Sequence, residues 1–165
     1  ANIFEAQNIE FNFLPKNIVQ ITDTDRRILK ELIIDSKQTI VDLQKKLGIS
    51  VPTITKSIQE LKKRGVILAN RTILDFNKLG LHRYTLMMFA NPRIEKQLIQ
   101  YCKQDKKIWD IGKYSGTHNY IIEVFAKDND EFGSVINSLK DFFKGEIFRI
   151  DTLLILSELK HEYRI

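Results

Sequence analysis

Between residues 22 and 65, apolar side chains recur every three or four positions, the spacing that lines one face of an α-helix. Three short runs show this period, and each begins at a hydroxyl residue suited to capping a helix: Thr22, Thr39 and Ser50. Gly48 and Gly65 offer stops for the second and third runs. The pattern predicts three helices, whose buried stripes are Ile28, Leu29, Leu32 and Ile33; Ile40, Leu43 and Leu47; and Ile54, Ile58 and Leu61.

The second and third predicted helices are separated only by Gly48, Ile49 and Ser50. A turn this short forces the helices to cross steeply, as in a helix-turn-helix. The stretch VILANRTILDF that follows alternates loosely, which predicts a small hairpin, or a strand with a turn at Ala69-Asn70. We therefore expect a winged helix-turn-helix, with the helices over residues 22–67 and a wing or hinge over 68–81.

From residue 82 onward the spacing of apolar residues changes, and it predicts elements in the order strand, helix, strand, strand, helix, strand. Strands are predicted in HRYTLMMFA, KIWDIGKYSG, NYIIEVFAKD and IFRIDTLLILSEL, with the middle two joined through Gly116. Pro92 opens the first helix, and Asp128 with Glu131 forms a capping box at the second. This order is that of a ferredoxin-like βαββαβ sandwich over residues 82–165, so the predicted fold class is α+β.

Residues 1–21 fit neither domain and are interpreted as an N-terminal extension or linker. Ile9, Phe11 and Phe13 alternate as in a strand, and Pro15 ends the alternation. We expect this stretch to pair with the second domain or with another copy of the chain.

The positive charge is concentrated in the helix-turn-helix segment. The chain has a net charge of +5, and residues 22–81 hold 12 Lys and Arg against 7 Asp and Glu. Residues 82–165 are nearly neutral, with 13 against 12. A basic face in one domain only suggests a polyanion partner for that domain.

The outward side of the third predicted helix carries short hydroxyl groups at its start and cations towards its end. In a helix-turn-helix, the second helix enters the DNA major groove with its N-terminal residues at the base edges. Threonine and glutamine can contact bases there, whereas Lys62, Lys63 and Arg64 would contact phosphates. The predicted DNA-binding residues are Ser50, Thr53, Thr55, Lys56, Gln59, Lys62, Lys63 and, in the wing, Arg71. The alternative is a three-helix module that docks protein.

Both halves resemble the Lrp/AsnC (feast/famine) transcription regulators, from about Ile21 to Ile165. The first half is similar in TDTDRRILKELIIDSK, LGISVPTITKSIQELKKRGVI and LDFNKLGL, and the residues on the family's pattern are Asp25, Leu29, Leu32, Gly48, Ser50, Leu61, Gly65, Ile67 and Gly80. The resemblance implies a sequence-specific DNA-binding regulator that forms a homodimer, or a higher even-numbered oligomer, by pairing the sheets of its second domains. It also implies an amino acid or similar small molecule bound where dimers meet.

In the second half, YSGTHNYIIEV falls where the family usually has a Gly-x-x-Asp turn, which implies an effector site at Ser115, Gly116, Thr117, His118 and Asn119. Two positions depart from the family. Asn119 replaces the usual aspartate, so the charge-assisted bond that an ammonium group would receive is lost. Ser57 stands beside Lys56 where a second basic residue is usual, which suggests a different DNA contact pattern.

The sequence gives little support for other classes of function. The three histidines are scattered without metal-ligand spacing, and no phosphate loop or nucleophile elbow occurs, so we expect no enzyme, no metal and no cofactor beyond the effector. No apolar run approaches a membrane span, and one cysteine, Cys102, fits a reducing compartment, so a cytoplasmic location is expected. The remaining alternative is an oligomeric interaction or metabolite-sensing module, with Trp109, Phe142 and Phe143 as candidate interface aromatics, although Phe142 is expected in the core.

Overall fold

The computed structural model describes residues 18–69 and 74–159. By their contacts these residues form two compact units, 18–69 and 74–159. The predictions made for Ile9, Phe11 and Phe13 and for Arg71 lie outside the described residues.

The first unit consists of three helices, α1 (Asp23–Ile34), α2 (Ile40–Leu47) and α3 (Val51–Lys63), as the sequence predicts. Their apolar stripes meet in one small core, because each helix turns its three- and four-residue period inward. The centre of that core is fully buried and is formed by Ile28, Leu43 and Ile54.

Side-chain caps fix where these helices begin. Thr22 and Asp25 form a capping box at α1, and Thr39 and Asp42 form another at α2. Each hydroxyl accepts a hydrogen bond from an amide of the first turn, and each carboxylate accepts one from the amide of the capping residue. Ser50 caps α3 through its side-chain oxygen.

The turn between α2 and α3 depends on Gly48, which has a φ of 67° and a ψ of 23°. This left-handed conformation suits glycine because a Cβ would crowd the following carbonyl group. The amide of Gly48 donates to the carbonyl of Gln44 at 2.9 Å and closes α2. The chain can therefore reverse between the two helices within three residues.

The second unit is a ferredoxin-like sandwich, as predicted. Its four-stranded sheet has the order β2-β3-β1-β4, and every neighbouring pair is antiparallel. In chain order its elements are β1 (His82–Ala90), α4 (Glu95–Gln104), β2 (Ile108–Lys113), β3 (Tyr120–Ala126), α5 (Asn129–Phe142) and β4 (Ile147–Leu154).

Alternation along β1 separates the two faces of this sheet. Tyr84, Leu86 and Met88 are buried, and they belong to one core cluster with Leu98 of α4 and Leu139 of α5. The residues between them on β1 point to the opposite face and are only partly buried or exposed: Arg83, Thr85, Met87 and Phe89. One face of the sheet is thus covered by α4 and α5. The other, here called the open face, is covered only in part, where the ring of Phe76 stacks on that of Phe125 with centroids 3.8 Å apart.

Three local predictions need correction. Pro92 opens a short 3-10 turn (Pro92–Ile94) that precedes α4, because the Asn91 side chain caps this turn. At α5, Asp128 caps the helix, but the Glu131 carboxylate accepts from the amide of Lys127 at 2.8 Å, so the predicted capping box is incomplete. In VILANRTILDF, the described residues 66–69 and 74–76 contain no strand.

Among the described residues, no helix is both long and apolar enough to cross a membrane.

Candidate nucleic-acid interface

The exposed side of α3 carries the cations that the sequence assigned to DNA. Lys56, Gln59, Lys62 and Lys63 are all exposed. Within residues 18–69 and 74–159, no carboxylate lies within ion-pair distance of the three lysines. Their charges are therefore available to an external anion, and their helical spacing spreads them along one side of α3.

The hydroxyl groups at the start of α3 already have partners inside the helix. Ser50 Oγ and Thr53 Oγ1 lie 2.8 Å apart, and Thr55 Oγ1 donates to the carbonyl of Val51 at 2.9 Å. A hydroxyl bonded in this way retains acceptor capacity but has used its proton. Thr55 therefore offers a partner chiefly its methyl group, whereas Ser50 and Thr53 together retain one free proton.

Ser57 does not belong to the row of outward groups. Its side chain is half-buried, and its hydroxyl donates to Oδ1 of Asp25 on α1. Ser57 is thus directed at Asp25 on α1 and supplies no outward cation, and the different DNA contact pattern expected from this position stays a prediction.

Asp25 is the buried acid of the first unit, with 7% of its surface exposed. Burial favours the neutral carboxyl group, but the hydrogen bonds from the Ser57 hydroxyl and from Thr22 outweigh it, and the Arg64 guanidinium adds attraction. The pKa of Asp25 is therefore held below its ordinary value. The group is charged at neutral pH and acts as a fixed acceptor between α1 and α3.

Some of the basic residues near α3 serve the fold. Arg64 Nη2 donates to the carbonyl of Gln20, in contrast to the phosphate contact expected from the sequence. Lys46 Nζ pairs with Glu31 Oε2 at 3.1 Å, which ties α2 to α1. Arg64 and Lys46 thus differ from Lys56, Lys62 and Lys63, which have no ion pair with a described carboxylate.

The predicted effector turn divides into exposed and engaged residues. Ser115, Gly116 and Thr117 are exposed. Asn119 is engaged with β1, since its Oδ1 accepts from the amide of Ala90 at 3.0 Å and its Nδ2 donates to the Ala90 carbonyl at 2.7 Å. The Asn119 side chain therefore holds the turn against β1.

His118 forms a polar cluster with β4. Its Nε2 lies 2.6 Å from Oδ2 of Asp151, and Arg149 Nε lies 2.7 Å from the same oxygen. The hydrogen bonds from His118 and Arg149 lower the pKa of the Asp151 carboxyl. Sequence reasoning missed Asp151 and Arg149. Their period-two spacing in β4 was the available signal, because it places both on one face of the sheet.

The open face of the sheet is rich in exposed apolar side chains. Phe89 on β1 and Phe148 on β4 are 42% and 60% exposed, and their ring centroids lie 5.6 Å apart. Trp109 is 42% exposed and packs edge-on against Phe76 and Phe125, with ring centroids 5.3 and 5.7 Å from its own.

Of the other two candidate interface aromatics, Phe143 is buried. Phe142 is 63% exposed and lies 5.1 Å from the ring of Tyr101, so its expected place in the core is wrong. Both lie at the end of α5, on the helical side of the sandwich.

Comparisons with known proteins agree with this architecture. The sequence model of the winged helix-turn-helix DNA-binding family matches residues 21–67. The chain is 25% identical to the transcriptional regulator AzlB of Bacillus subtilis, covering 86% of this chain and 92% of AzlB. It is also 25% identical to the transcriptional regulator LrpA of Pyrococcus horikoshii, covering 85% of this chain and 99% of LrpA.

Solved structures extend the match to the whole fold. Escherichia coli AsnC has 20% sequence identity and a TM-score of 0.74, covering 88% of this chain and 99% of AsnC. A transcriptional regulator of Neisseria meningitidis, solved as a complex with L-Met, has 16% identity and a TM-score of 0.76, covering 86% and 94% of the two chains. In both units this chain is similar to the Lrp/AsnC regulators. It is a DNA-binding transcriptional regulator.

The two residues that depart from the Lrp/AsnC pattern, Ser57 and Asn119, both have side chains that are hydrogen-bonded within the chain. Ser57 is bonded to Asp25, and Asn119 is bonded to Ala90. Each substitution therefore has a structural partner within its own unit. The relatives reported above are transcriptional regulators, and they indicate no enzymatic family.

Proposed function

We propose that this Lrp/AsnC regulator reads a specific duplex sequence by placing α3 in the major groove. The observation that carries the proposal is the group of three lysines along the exposed side of α3, none of which pairs with a carboxylate of residues 18–69 or 74–159: Lys56, Lys62 and Lys63. Exposed cations that no internal carboxylate engages bind phosphates by releasing counterions, which supplies affinity for any duplex.

Specificity is assigned to the first half of α3. Lys56 and Gln59 are long enough to hydrogen-bond base edges, and the methyl group of Thr55 suits contact with a thymine methyl. Ser50 and Thr53 lie at the helix start, where amide groups and a hydroxyl proton suit a phosphate oxygen. Lys62 and Lys63 fix register through phosphates, and Arg71 in the predicted wing is assigned the same kind of contact.

The proposal includes a homodimer, or a higher even-numbered oligomer, formed through the open face of the sheet. Exposed aromatic side chains on a face that no helix covers support this, because burying such surface against a second copy is favourable. Two paired chains would present two α3 helices to half-sites about one helical turn apart.

A small-molecule effector is proposed at the turn 115–119. The relative from Neisseria meningitidis that was solved with L-Met supports an amino acid as the class of ligand. Here the exposed residues Ser115, Gly116 and Thr117 would supply hydroxyl and backbone groups, and Asn119 would hold the turn in place. The chain would act by binding alone, without covalent chemistry or another cofactor, in the cytoplasm.

The test is selection of the purified chain on random duplexes at about 0.1 M salt, followed by affinity measurements on the enriched duplex. A palindromic motif is expected. The double variant Lys56→Glu and Lys62→Glu should weaken binding to every duplex by roughly a hundredfold or more, since it removes two cations from α3 and places two carboxylates close to the phosphates. Repeating the measurements with single amino acids at millimolar concentration tests the effector.

The matched control is Lys96→Glu with Lys140→Glu, which makes the same change in net charge on α4 and α5. This control should bind as the wild type does. Equal weakening by both double variants would assign the binding to overall charge, and an unenriched pool would favour a protein-docking role for the three helices.

A further inference from the structure

A hydrogen-bonded cluster joins the middle of α3 to the start of α1. Ser57 donates to Oδ1 of Asp25, while Oδ2 of the same carboxylate accepts from the amide of Thr22 at 3.0 Å. The Thr22 hydroxyl in turn accepts from the amide of Asp25 at 3.1 Å. One carboxylate thus serves both as part of the α1 capping box and as the acceptor for α3.

The remaining contacts between α1 and α3 are mainly apolar. Ile28 of α1 and Ile54 of α3 are fully buried, and Ile58 packs beside them. Hydrophobic burial is non-directional, so it holds two helices together without fixing how far each is rotated about its axis. A hydrogen bond to a carboxylate is directional and strongest near linear geometry, so it selects one rotation.

The position of Ser57 makes this rotation relevant to DNA. Lys56 is its immediate neighbour, and Gln59 lies two residues further along α3. Successive side chains of an α-helix are separated by about 100° around the helix axis, so these two groups point outward when Ser57 points inward. Any rotation of α3 on α1 turns these outward groups by the same angle. Base contacts depend on such angles, whereas contacts to the continuous array of phosphates depend on them much less.

We infer that Ser57 is a positioning residue for sequence recognition, whose hydrogen bond to Asp25 sets the rotation of α3 on α1. This inference rests on the proposed function. It assigns to Ser57 a role without DNA contact. The serine that replaces a basic residue usual in the family thereby contributes to specificity from inside the domain.

Arg64 supports the same arrangement from the end of α3. Its guanidinium donates to the carbonyl of Gln20, just before α1, and its charge attracts the Asp25 carboxylate. Two polar contacts, from Ser57 and Arg64, therefore hold α3 near the start of α1. Ser57 is the one adjacent to the proposed base-reading residues.

The experiment compares Ser57→Ala, Ser57→Thr and the wild type on two duplexes, the enriched motif and a shuffled sequence of the same composition. None of these substitutions changes the net charge, so affinity for the shuffled duplex should stay within about twofold. Ser57→Ala should lower affinity for the motif, and hence the specificity ratio, by roughly tenfold, the scale of one lost hydrogen bond to a charged group. Ser57→Thr should restore most of the ratio because it keeps the hydroxyl.

Ser36→Ala is the matched control, since Ser36 is exposed in the turn after α1, and it should leave both affinities unchanged. Urea unfolding of each variant shows whether it is folded under the conditions of the binding assay. If Ser57→Ala is unfolded there, Ser57→Cys replaces it, because a thiol has a similar volume but is a weaker hydrogen-bond donor than a hydroxyl. A wild-type chain without any preferred duplex refutes both the proposed function and this inference. A wild-type preference that Ser57→Ala retains in full refutes the inference alone. Equal losses on both duplexes would assign Ser57 to stability only, which also refutes it.

Discussion

At the scale of single residues, the first unit depends on a buried charge. The Asp25 carboxylate accepts hydrogen bonds from the Thr22 amide and the Ser57 hydroxyl, and it lies in the field of Arg64. These partners favour the charged form strongly enough to outweigh burial, so the pKa of Asp25 is lower in the folded chain than in the unfolded one. A group of this kind adds stability that depends on pH.

The sign of this dependence follows from the lowered pKa. Above about pH 4, the ordinary pKa of an aspartate, the stabilisation from Asp25 is fully present, and it is lost as the pH falls through the lower folded pKa. Asp25→Asn should therefore cost about 1.5–3 kcal/mol in the free energy of unfolding at pH 6, and less near pH 3. Urea unfolding of wild type and variant at both pH values is the measurement. A cost that does not change with pH would contradict the role given to the charge.

At the scale of elements, the conformation of one turn sets the relation of α2 to α3. Gly48 has a left-handed backbone, and a Cβ added there would meet no atom within 4 Å. The effect of a larger residue at this position therefore comes from backbone conformation and not from a steric clash with neighbours.

Gly48→Ala should destabilise the first unit by about 1–2 kcal/mol, the cost of holding an L-residue in the left-handed region. Gly133→Ala is the matched control, because Gly133 lies inside α5, has open space around it and has no positive φ. Alanine there should stabilise the second unit by about 0.5–1 kcal/mol. Urea unfolding followed by circular dichroism measures the change in the free energy of unfolding for each variant, and the two changes should have opposite signs. A loss of stability at both positions would mean that side-chain volume decides the outcome.

The elements themselves could be predicted because their signals are local. The stripe of Ile54 and Leu61, the caps at Thr39 and Ser50, and the alternation in β1 each lie within a few residues of sequence. The three helices, and the order of strands and helices in the sandwich, followed from such patterns.

The partners of the site residues could not be predicted, because they come from distant parts of the chain. Ser57 meets Asp25 across 32 positions, and the His118 side chain meets Asp151 across 33. The outward lysines of α3 were found from the sequence because exposure follows from helical period alone. Which hydroxyl, amide or imidazole is already engaged depends on tertiary packing, and a single sequence carries no direct record of it.

At the scale of the whole molecule, the two units divide the physical tasks between them. Residues 22–81 carry the excess positive charge, while residues 82–165 are nearly neutral. A neutral sheet with exposed aromatic side chains can pair with its own copy without charge repulsion. A pair of basic helices, joined through neutral sheets, can then contact one duplex at two half-sites.

The proposed assembly depends on the open sheet face. Phe148→Lys places a charge beside Phe89 on that face, and it should convert the proposed oligomer to monomers at micromolar concentration, because burying an unpaired ammonium in the interface is unfavourable. Phe142→Lys is the matched control, since Phe142 is 63% exposed against 60% for Phe148 but lies at the end of α5 on the helical side. The control should leave the assembly unchanged. Sedimentation velocity gives the mass of each species. If Phe142→Lys gave monomers and Phe148→Lys did not, the interface would lie on the helical side of the sandwich and not on the open face.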